Sequence, residues 1–483
     1  MTQWFRFELF KEIPWRWLVF WLLVPNAAII LMWPVGGPAM TIPILFCSAL
    51  ALVASQLPWK AVRYVSLVII FVILPSTYIT SSFNISLINI FYADQYLNNL
   101  DMMRSADYVI ALILMIIGLG VALRFGATTK KFVSKDQYIM AVVSILMLVN
   151  MDIYASSDTR GSYKARAPAD EPIDSAVIQA GIHPATVSAQ NLVVIIVESW
   201  GVPIAETDRQ VDNRNWDTSI LEPRYIAERG TSKYFGSTTN SEIREWCGVW
   251  ADHLSFAFDG AHCLPEKFGE SGFHTAAFHS FTGTFFNRDE WYVKLGFDQQ
   301  VFREGLFDKG ADACKGLFNG VCDADVPSII GDYLRHSKSE RNLVYWLTLN
   351  AHLPIAVDEK VGTDKCTLGP QQWRDDFPVL CRSYTVHKVL ADSIFQEIMA
   401  SDFPESDILI VGDHMPPFFP RAMRTRFDPG RVPWIYLKNR QAQERSVSEP
   451  SEAVKLTSIS PRSALSKPTS LPGEQLRPIS SSF

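Results

Sequence analysis

Three short segments in the second half of the chain carry the residue types best suited to chemistry. They are Glu198-Ser199-Trp200-Gly201, Asn350-Ala351-His352-Leu353-Pro354 and Gly412-Asp413-His414-Met415-Pro416-Pro417. Each directly follows a run rich in β-branched or aromatic residues: Asn191–Val197, Leu343–Leu349 and Asp407–Val411. Such continuous apolar runs predict strands buried on both faces, as in a parallel sheet. In open sheets of that kind, ligands bind at the carboxyl ends of the strands. A Glu, a His and an Asp-His pair are therefore expected on one rim. Hard carboxylates with an imidazole suit a divalent metal such as Zn or Mn. A single Glu at a strand end is ordinarily structural, and an Asp-His pair is common by chance; three strand ends bearing such groups are not.

A nucleophile is expected beside such a metal. Gly236-Ser237-Thr238-Thr239-Asn240-Ser241-Glu242 follows an aromatic segment and precedes a predicted helix. A hydroxyl at a helix N-terminus sits where backbone N–H groups and the dipole favour an oxyanion or phosphate, and a metal lowers its pKa. The same pattern also reads as a plain N-cap, Ser or Thr before Glu. His183, His253, His262, His336 and His387 read as surface or core residues, and His274 lies in a predicted strand.

The elements that position these groups divide the chain. It has 483 residues, 48% hydrophobic and 19% charged, with a net charge of −6, so no basic footprint suggests nucleic acid. The apolar residues crowd into the first 155 or so. Five segments are predicted to span a membrane, roughly Trp15–Trp33, Ala39–Leu57, Val62–Tyr78, Tyr108–Leu123 and Tyr138–Ile153, several of them near the short end of the required length. Pro25, Pro43 and Pro75 interrupt three of them, which neighbouring helices can accommodate. Lys and Arg concentrate before the first segment (Arg6, Lys11, Arg16), after the second (Lys60, Arg63) and after the fourth (Arg124, Lys130, Lys131, Lys135). The positive-inside rule then puts the N-terminus in the cytoplasm and everything after Ile153 outside. The partly apolar loop Ser81–Asp107 reads as an amphipathic surface helix or a partly buried hairpin.

The predicted domains are a membrane domain at 1–155, a polar linker at 156–188, an α/β domain with a mainly parallel sheet at 189–440 and a disordered Ser/Pro-rich tail at 441–483. Thr275–Phe278 and Val432–Leu437 are further predicted strands, and Ser241–Ala251, Val326–His336 and Ser383–Ser401 predicted helices. Six of the seven cysteines fall after residue 240, an even number that suggests disulfides in an oxidising compartment.

Together, Glu198, the GSTTNSE stretch, Phe285-Phe286-Asn287-Arg288-Asp289, Leu349-Asn350-Ala351-His352-Leu353-Pro354 and GDHMPP resemble the alkaline phosphatase superfamily. More narrowly they resemble the membrane-anchored lipoteichoic acid synthase and phosphoethanolamine transferase group, with five spans and an external sulfatase-like domain. The resemblance covers roughly residues 10–440. By match to the group's Gly-x-Thr-x-x-x-Glu stretch, it implies Thr238 as nucleophile. Glu198, Asp413 and His414 fall at its metal ligands with Thr238 completing the site, and His352 falls near the transferred phosphoryl group. His279 and Arg288 fall on the donor head group.

The synthase pattern has Trp where this chain has Phe286, which leaves the head group open between phosphoglycerol and phosphoethanolamine. Cys314-Lys315-Gly316 and Cys322-Asp323 resemble the disulfide-bearing loop of the phosphoethanolamine branch, but that branch's Ser-Asp-His-Gly-Glu-Ser is replaced by Gly-Asp-His-Met-Pro-Pro. The expected bridges are Cys314–Cys322 and Cys366–Cys381, with Cys247–Cys263 the third candidate among 15 connectivities. Cys263-Leu264-Pro265-Glu266-Lys267 misses the sulfatase Cys/Ser-x-Pro-x-Arg motif by its last residue and lies well after the nucleophile position, which excludes sulfate-ester hydrolysis through a formylglycine.

The implied activity is metal-dependent transfer of a phospholipid head group, through a phospho-threonine, to an external glycan or lipid-linked sugar. The implied setting is a bacterial inner (cytoplasmic) membrane crossed several times, with a periplasmic catalytic domain. Two rivals share these residues: a membrane-tethered phosphatase or phosphodiesterase using water, and a non-catalytic scaffold in envelope assembly.

Overall fold

The computed structural model describes residues 13–82, 87, 106–157, 159–164 and 166–448. The surface-helix or hairpin reading of Ser81–Asp107 falls almost wholly outside them. All five predicted membrane segments are helical. Three are long and apolar enough to cross a membrane: α1 (Trp15–Met32), α3 (Lys60–Ser82) and α5 (Lys135–Ala155). The other two, α2 (Thr41–Gln56) and α4 (Ala106–Val121, with its apolar part running on to Gly126), are shorter. Of the five expected spans, three therefore reach the length and apolarity of a membrane-crossing helix; α2 is shorter because it starts only after the Pro34–Met40 connection and stops before Pro58. Two buried charged groups inside this half find partners within it. The buried Asp152 carboxylate accepts from the Met40 N–H (3.0 Å) and Thr41 hydroxyl (2.8 Å), capping α2 from α5. Arg63 donates to the Leu57 (3.0 Å) and Thr129 (2.7 Å) carbonyls.

The second half is a seven-stranded sheet of order β2-β7-β6-β1-β5-β3-β4. The strands are β1 (Asn191–Val197), β2 (Tyr225–Lys233), β3 (His274–His279), β4 (Gln299–Val301), β5 (Asn342–Leu347), β6 (Ser406–Gly412) and β7 (Arg431–Asn439). β6, β1, β5, β3 and β4 run parallel, while β7 and β2 are antiparallel to their neighbours. Along β1 successive side chains enter opposite layers: Val193, Ile195 and Val197 on one face, Leu192, Val194 and Ile196 on the other. Each side chain buried this way is worth about 1.5–3 kcal/mol, which explains why the run is apolar throughout. Sequence reading missed β2 and β4. β2 is an edge strand of mixed polarity, Tyr-Ile-Ala-Glu-Arg-Gly-Thr-Ser-Lys, and β4 has only three residues. The predicted disordered tail opens on a helix, Arg440–Ser448.

The two halves meet where the chain leaves the sheet after β6. The Arg421 N–H donates to the Val35 carbonyl (2.6 Å), and its guanidinium donates to the carbonyls of Trp33 and Ala155. Three disulfides form, Cys247–Cys263, Cys314–Cys322 and Cys366–Cys381, while Cys47 is free and buried. They close loops with separations of 16, 8 and 15 residues, and each contributes about 2–3 kcal/mol by constraining the unfolded chain. Peptide mapping without reductant should recover these three linked pairs; free thiols at all six positions would refute the arrangement.

Candidate active site

The parallel register brings the predicted groups to one rim. β1 lies between β6 and β5, so Glu198, just past β1, stands beside Asp413, just past β6. Thr238 is the first residue of α6 (Thr238–Cys247). Ser237 is the N-cap and forms a capping box with Asn240, so the N-cap reading and the nucleophile reading fall on adjacent residues. Gly236 makes this possible. Its φ is +82°, and a Cβ there would overlap the Asn240 side chain.

The Thr238 hydroxyl lies 2.9 Å from Asp413 Oδ2, 3.2 Å from Glu198 Oε2 and 3.4 Å from His414 Nε2. One ligand atom from each of Glu198, Asp413 and His414 falls within 4.8 Å of the others. His414 Nδ1 donates to the Met415 carbonyl (2.9 Å), which turns Nε2 toward the carboxylates. Burial, and then the neighbouring Glu198 carboxylate, pushes Asp413 up to about 7. Burial works against the charged form of His414, but Asp413 and Glu198 outweigh it and hold the ring above its usual range. Two buried carboxylates with an imidazole and a hydroxyl converging on one point fit a divalent cation, whose charge relieves their mutual repulsion.

Several residues that sequence reading did not single out hold this arrangement. Ser199 sits at φ +56°, a strained conformation for a non-glycine residue. There its N–H donates to Asp413 Oδ1 (2.8 Å) and its hydroxyl to Glu198 Oε1 (2.8 Å), tying the two carboxylates together. The Thr348 hydroxyl accepts from the Glu198 N–H (2.9 Å), and Ser241 donates to the Asp413 carbonyl (2.6 Å). His387 Nε2 donates to the Glu198 carbonyl (3.1 Å) from the core position expected of it. No local pattern announces these roles, since each depends on which strands become neighbours.

His352 lies close enough for the charges of His414 and Asp413 to act on it. Its Nδ1 donates to the Leu353 carbonyl (2.8 Å), so Nε2 carries the lone pair, and the ring packs edge-on against Phe318 at 4.4 Å. Burial pushes it down to about 4, so it is neutral at neutral pH. His279 and Arg288 lie deeper, each 2% exposed, and no hydrogen bond joins either to the Glu198–Thr238–Asp413–His414 cluster. Arg288 donates through Nε and Nη2 to Glu242 (Nη2 at 2.8 Å) and through Nη1 to the Phe285 carbonyl (3.1 Å). Glu242, one turn after Thr238, also accepts from the Tyr292 and Tyr345 hydroxyls. Arg288 therefore meets the site through the helix that carries Thr238. His274 lies at the opposite end of β3 from His279 and away from the rim.

A family model described as Sulfatase matches residues 190–458, more than half of the chain, and the chain belongs to that family. Cys263 of the near-miss motif is bridged to Cys247, so it is no free thiol. Among solved structures, the chain is similar to the lipoteichoic acid synthase LtaP of Listeria monocytogenes (17% identity, TM-score 0.41, 53% of this chain and 66% of that one). It is also similar to the Streptococcus pyogenes phosphoglycerol transferase GacH in complex with sn-glycerol-1-phosphate (17%, 0.38, 52% and 69%). A third similarity is to the periplasmic domain of EcEptC from Escherichia coli in complex with Zn (11%, 0.37, 55% and 76%). The chain spans slightly less than two thirds of the LtaP chain. No curated protein matches the sequence.

Proposed function

We propose that this chain transfers a phospholipid head group, phosphoglycerol or phosphoethanolamine, to a hydroxyl of an external glycan or lipid-linked sugar. The observation that carries the reading is the Thr238 hydroxyl, set at a helix N-terminus and converging with Glu198, Asp413 and His414. Those four residues would hold one divalent ion, Zn or Mn, which would withdraw charge from the threonine oxygen and from phosphoryl oxygens.

In the first half-reaction the Thr238 hydroxyl gives up its proton on the side of Asp413 Oδ2 and its oxygen bonds to phosphorus. The bond from phosphorus to the glycerol oxygen of the lipid breaks, and diacylglycerol leaves with a proton. In the second half-reaction the acceptor oxygen bonds to phosphorus, the bond from phosphorus to the Thr238 oxygen breaks, and the acceptor's proton is passed on to restore the threonine hydroxyl. A neutral His352 with a free Nε2 suits removal of the acceptor's proton. His279 and Arg288 serve the head group from the layer below, Arg288 by fixing Glu242 and hence the register of α6. Mass spectrometry of the Thr238 peptide, after incubation with labelled phosphatidylglycerol or phosphatidylethanolamine, should find the head-group phosphate on Thr238. Transfer that proceeds with Thr238 unmodified throughout would sink the mechanism.

In this reading 1–155 is the membrane domain, 156–188 the linker, 189–440 the catalytic domain and 441–483 the tail. α1–α5 all span a bacterial inner membrane, α2 and α4 as short spans, and the catalytic domain is periplasmic. A reporter active only in the cytoplasm, fused after Asn439, is expected to be silent; strong activity there would overturn the topology and the lipid donor with it.

A further inference from the structure

β5 ends at Leu347, and the chain leaves the sheet once the Thr348 N–H has donated to the Ile196 carbonyl (3.1 Å). The next two N–H groups, those of Leu349 and Asn350, both donate to a single side-chain oxygen, Asp323 Oδ2, at 2.9 and 2.6 Å. Asn350 answers with its own side chain. Its Oδ1 accepts from the Asp323 N–H (2.7 Å) and its Nδ2 donates to the Val321 carbonyl (3.0 Å). Asp323 is 3% exposed and pairs with no Lys, Arg or His among the described residues. A carboxylate buried without a counter-charge is costly unless fixed dipoles satisfy it. Here those dipoles are the two amides that open the turn leading to His352. The His352 N–H closes that turn on the Leu349 carbonyl (2.9 Å).

The segment that carries Asp323 also touches the His352 ring directly. Cys314–Cys322 closes the loop just before Asp323. Within that loop Phe318 packs edge-on against His352, with centroids 4.4 Å apart, and also meets Phe281 and Phe285 at 5.5 and 5.3 Å. Leu349 belongs to the same apolar cluster. The approach is close: a Cβ on Gly320 would strike the Leu349 side chain and the Ser280 carbonyl. The Val321 N–H ties the loop to that Ser280 carbonyl (3.0 Å), one residue past β3, and the Cys322 N–H donates to the Asp312 carbonyl (2.7 Å).

We propose that Asp323 and Phe318, both placed by the Cys314–Cys322 loop, are positioning residues for His352. Asp323 fixes the turn that bears the imidazole, and Phe318 holds the ring so that Nε2 is aimed at the acceptor's proton. This rests on reading His352 as the base of the second half-reaction. Among the described residues neither Asp323 nor Phe318 bonds to Glu198, Thr238, Asp413 or His414. Their effect therefore falls on discharge of the phospho-threonine and not on its formation, whereas a residue that only supported the fold would affect both steps alike.

Two measurements on the full chain in detergent, loaded with Mn, test this. The first needs no turnover: acylation of His352 by diethyl pyrocarbonate, read by peptide mass spectrometry. Asp323→Ala and Phe318→Ala should each raise its rate about tenfold, the scale on which losing one strong contact shifts a local opening. Asp323→Asn keeps an acceptor oxygen and should fall between. The second follows the label on Thr238 after a pulse of phosphatidylglycerol labelled in its phosphate, with octyl glucoside supplying the acceptor hydroxyl. The Ala variants should load Thr238 at the wild-type rate and discharge it up to about a hundredfold more slowly, as when a catalytic group shifts by about 1 Å. Should Asp323→Ala not fold, Phe318→Ala and Asp323→Asn decide. His352 acylation equal in wild type and variants overturns the proposal, and so does loading slowed as much as discharge. Wild-type Thr238 that takes up no label, or a His352→Ala chain that discharges normally, would instead sink the transfer reading or the part of His352 in it. The acylation rates would still decide whether Asp323 and Phe318 hold the ring.

Discussion

Thr238→Ala is expected to abolish head-group transfer while leaving the fold intact. The side chain forms no part of either hydrophobic layer, and among the described residues its hydroxyl bonds to Glu198, Asp413 and His414. Removing a nucleophile costs several orders of magnitude in turnover, roughly four or more. Losing an N-cap costs only about 1 kcal/mol of stability. That contrast separates Thr238 from its neighbours. Ser237→Ala removes the N-cap side chain and should lower the unfolding temperature slightly while transfer continues. Thr239 is 1% exposed and its hydroxyl lies 3.4 Å from that of Ser237, away from the carboxylates, so Thr239→Ala should also be mild. Thr238→Ser should retain part of the activity. Near-normal transfer by Thr238→Ala, or a dominant loss at Ser237 or Thr239, would show that another hydroxyl is the nucleophile.

Chelation is expected to have the second-largest effect, and Asp413→Asn should mimic it. Asp413 is fully buried beside Glu198, whose charge adds to burial in pushing its carboxyl up to about 7, and a bound cation would relieve that repulsion. The purified chain should therefore carry about one divalent ion. Stripping it should stop transfer and lower the unfolding temperature, because a ligand present at a hundred times its Kd stabilises by about 2.7 kcal/mol. Zn or Mn should restore both. Asp413→Asn should bind metal at least about tenfold more weakly, since even outer-shell partners of a metal site are worth that much. An unfolding temperature and metal content unmoved by chelation and by Asp413→Asn would remove the metal from the site. Ser199→Gly offers a finer check: it relieves the backbone strain but deletes the bond to Glu198, so metal affinity should fall even if stability does not.

Much of this molecule was legible before any coordinates. Asn191–Val197 has no polar side chain after its first residue, and only a strand covered on both faces tolerates that; such strands imply a parallel sheet with a common carboxyl rim. Glu198, Asp413 and His414 could therefore be assigned to one rim from their place after buried runs, and the apolar first 155 residues could be assigned to helices. The helix lengths were less legible, because apolar composition runs past the turns that end α2 and α4.

What the sequence by itself determined was the chemical kind of each group and the edge of the sheet to which it belongs. Only the tertiary structure decided adjacency. Strand order β6-β1-β5 sets Asp413 beside Glu198 with Ser199 strained between them, and helix packing turns Arg288 inward onto Glu242. Side-chain periodicity records whether a residue faces the core or solvent, because burial acts on each position locally. Which distant segments become neighbours depends on packing across the whole sheet, and no local pattern carries that information.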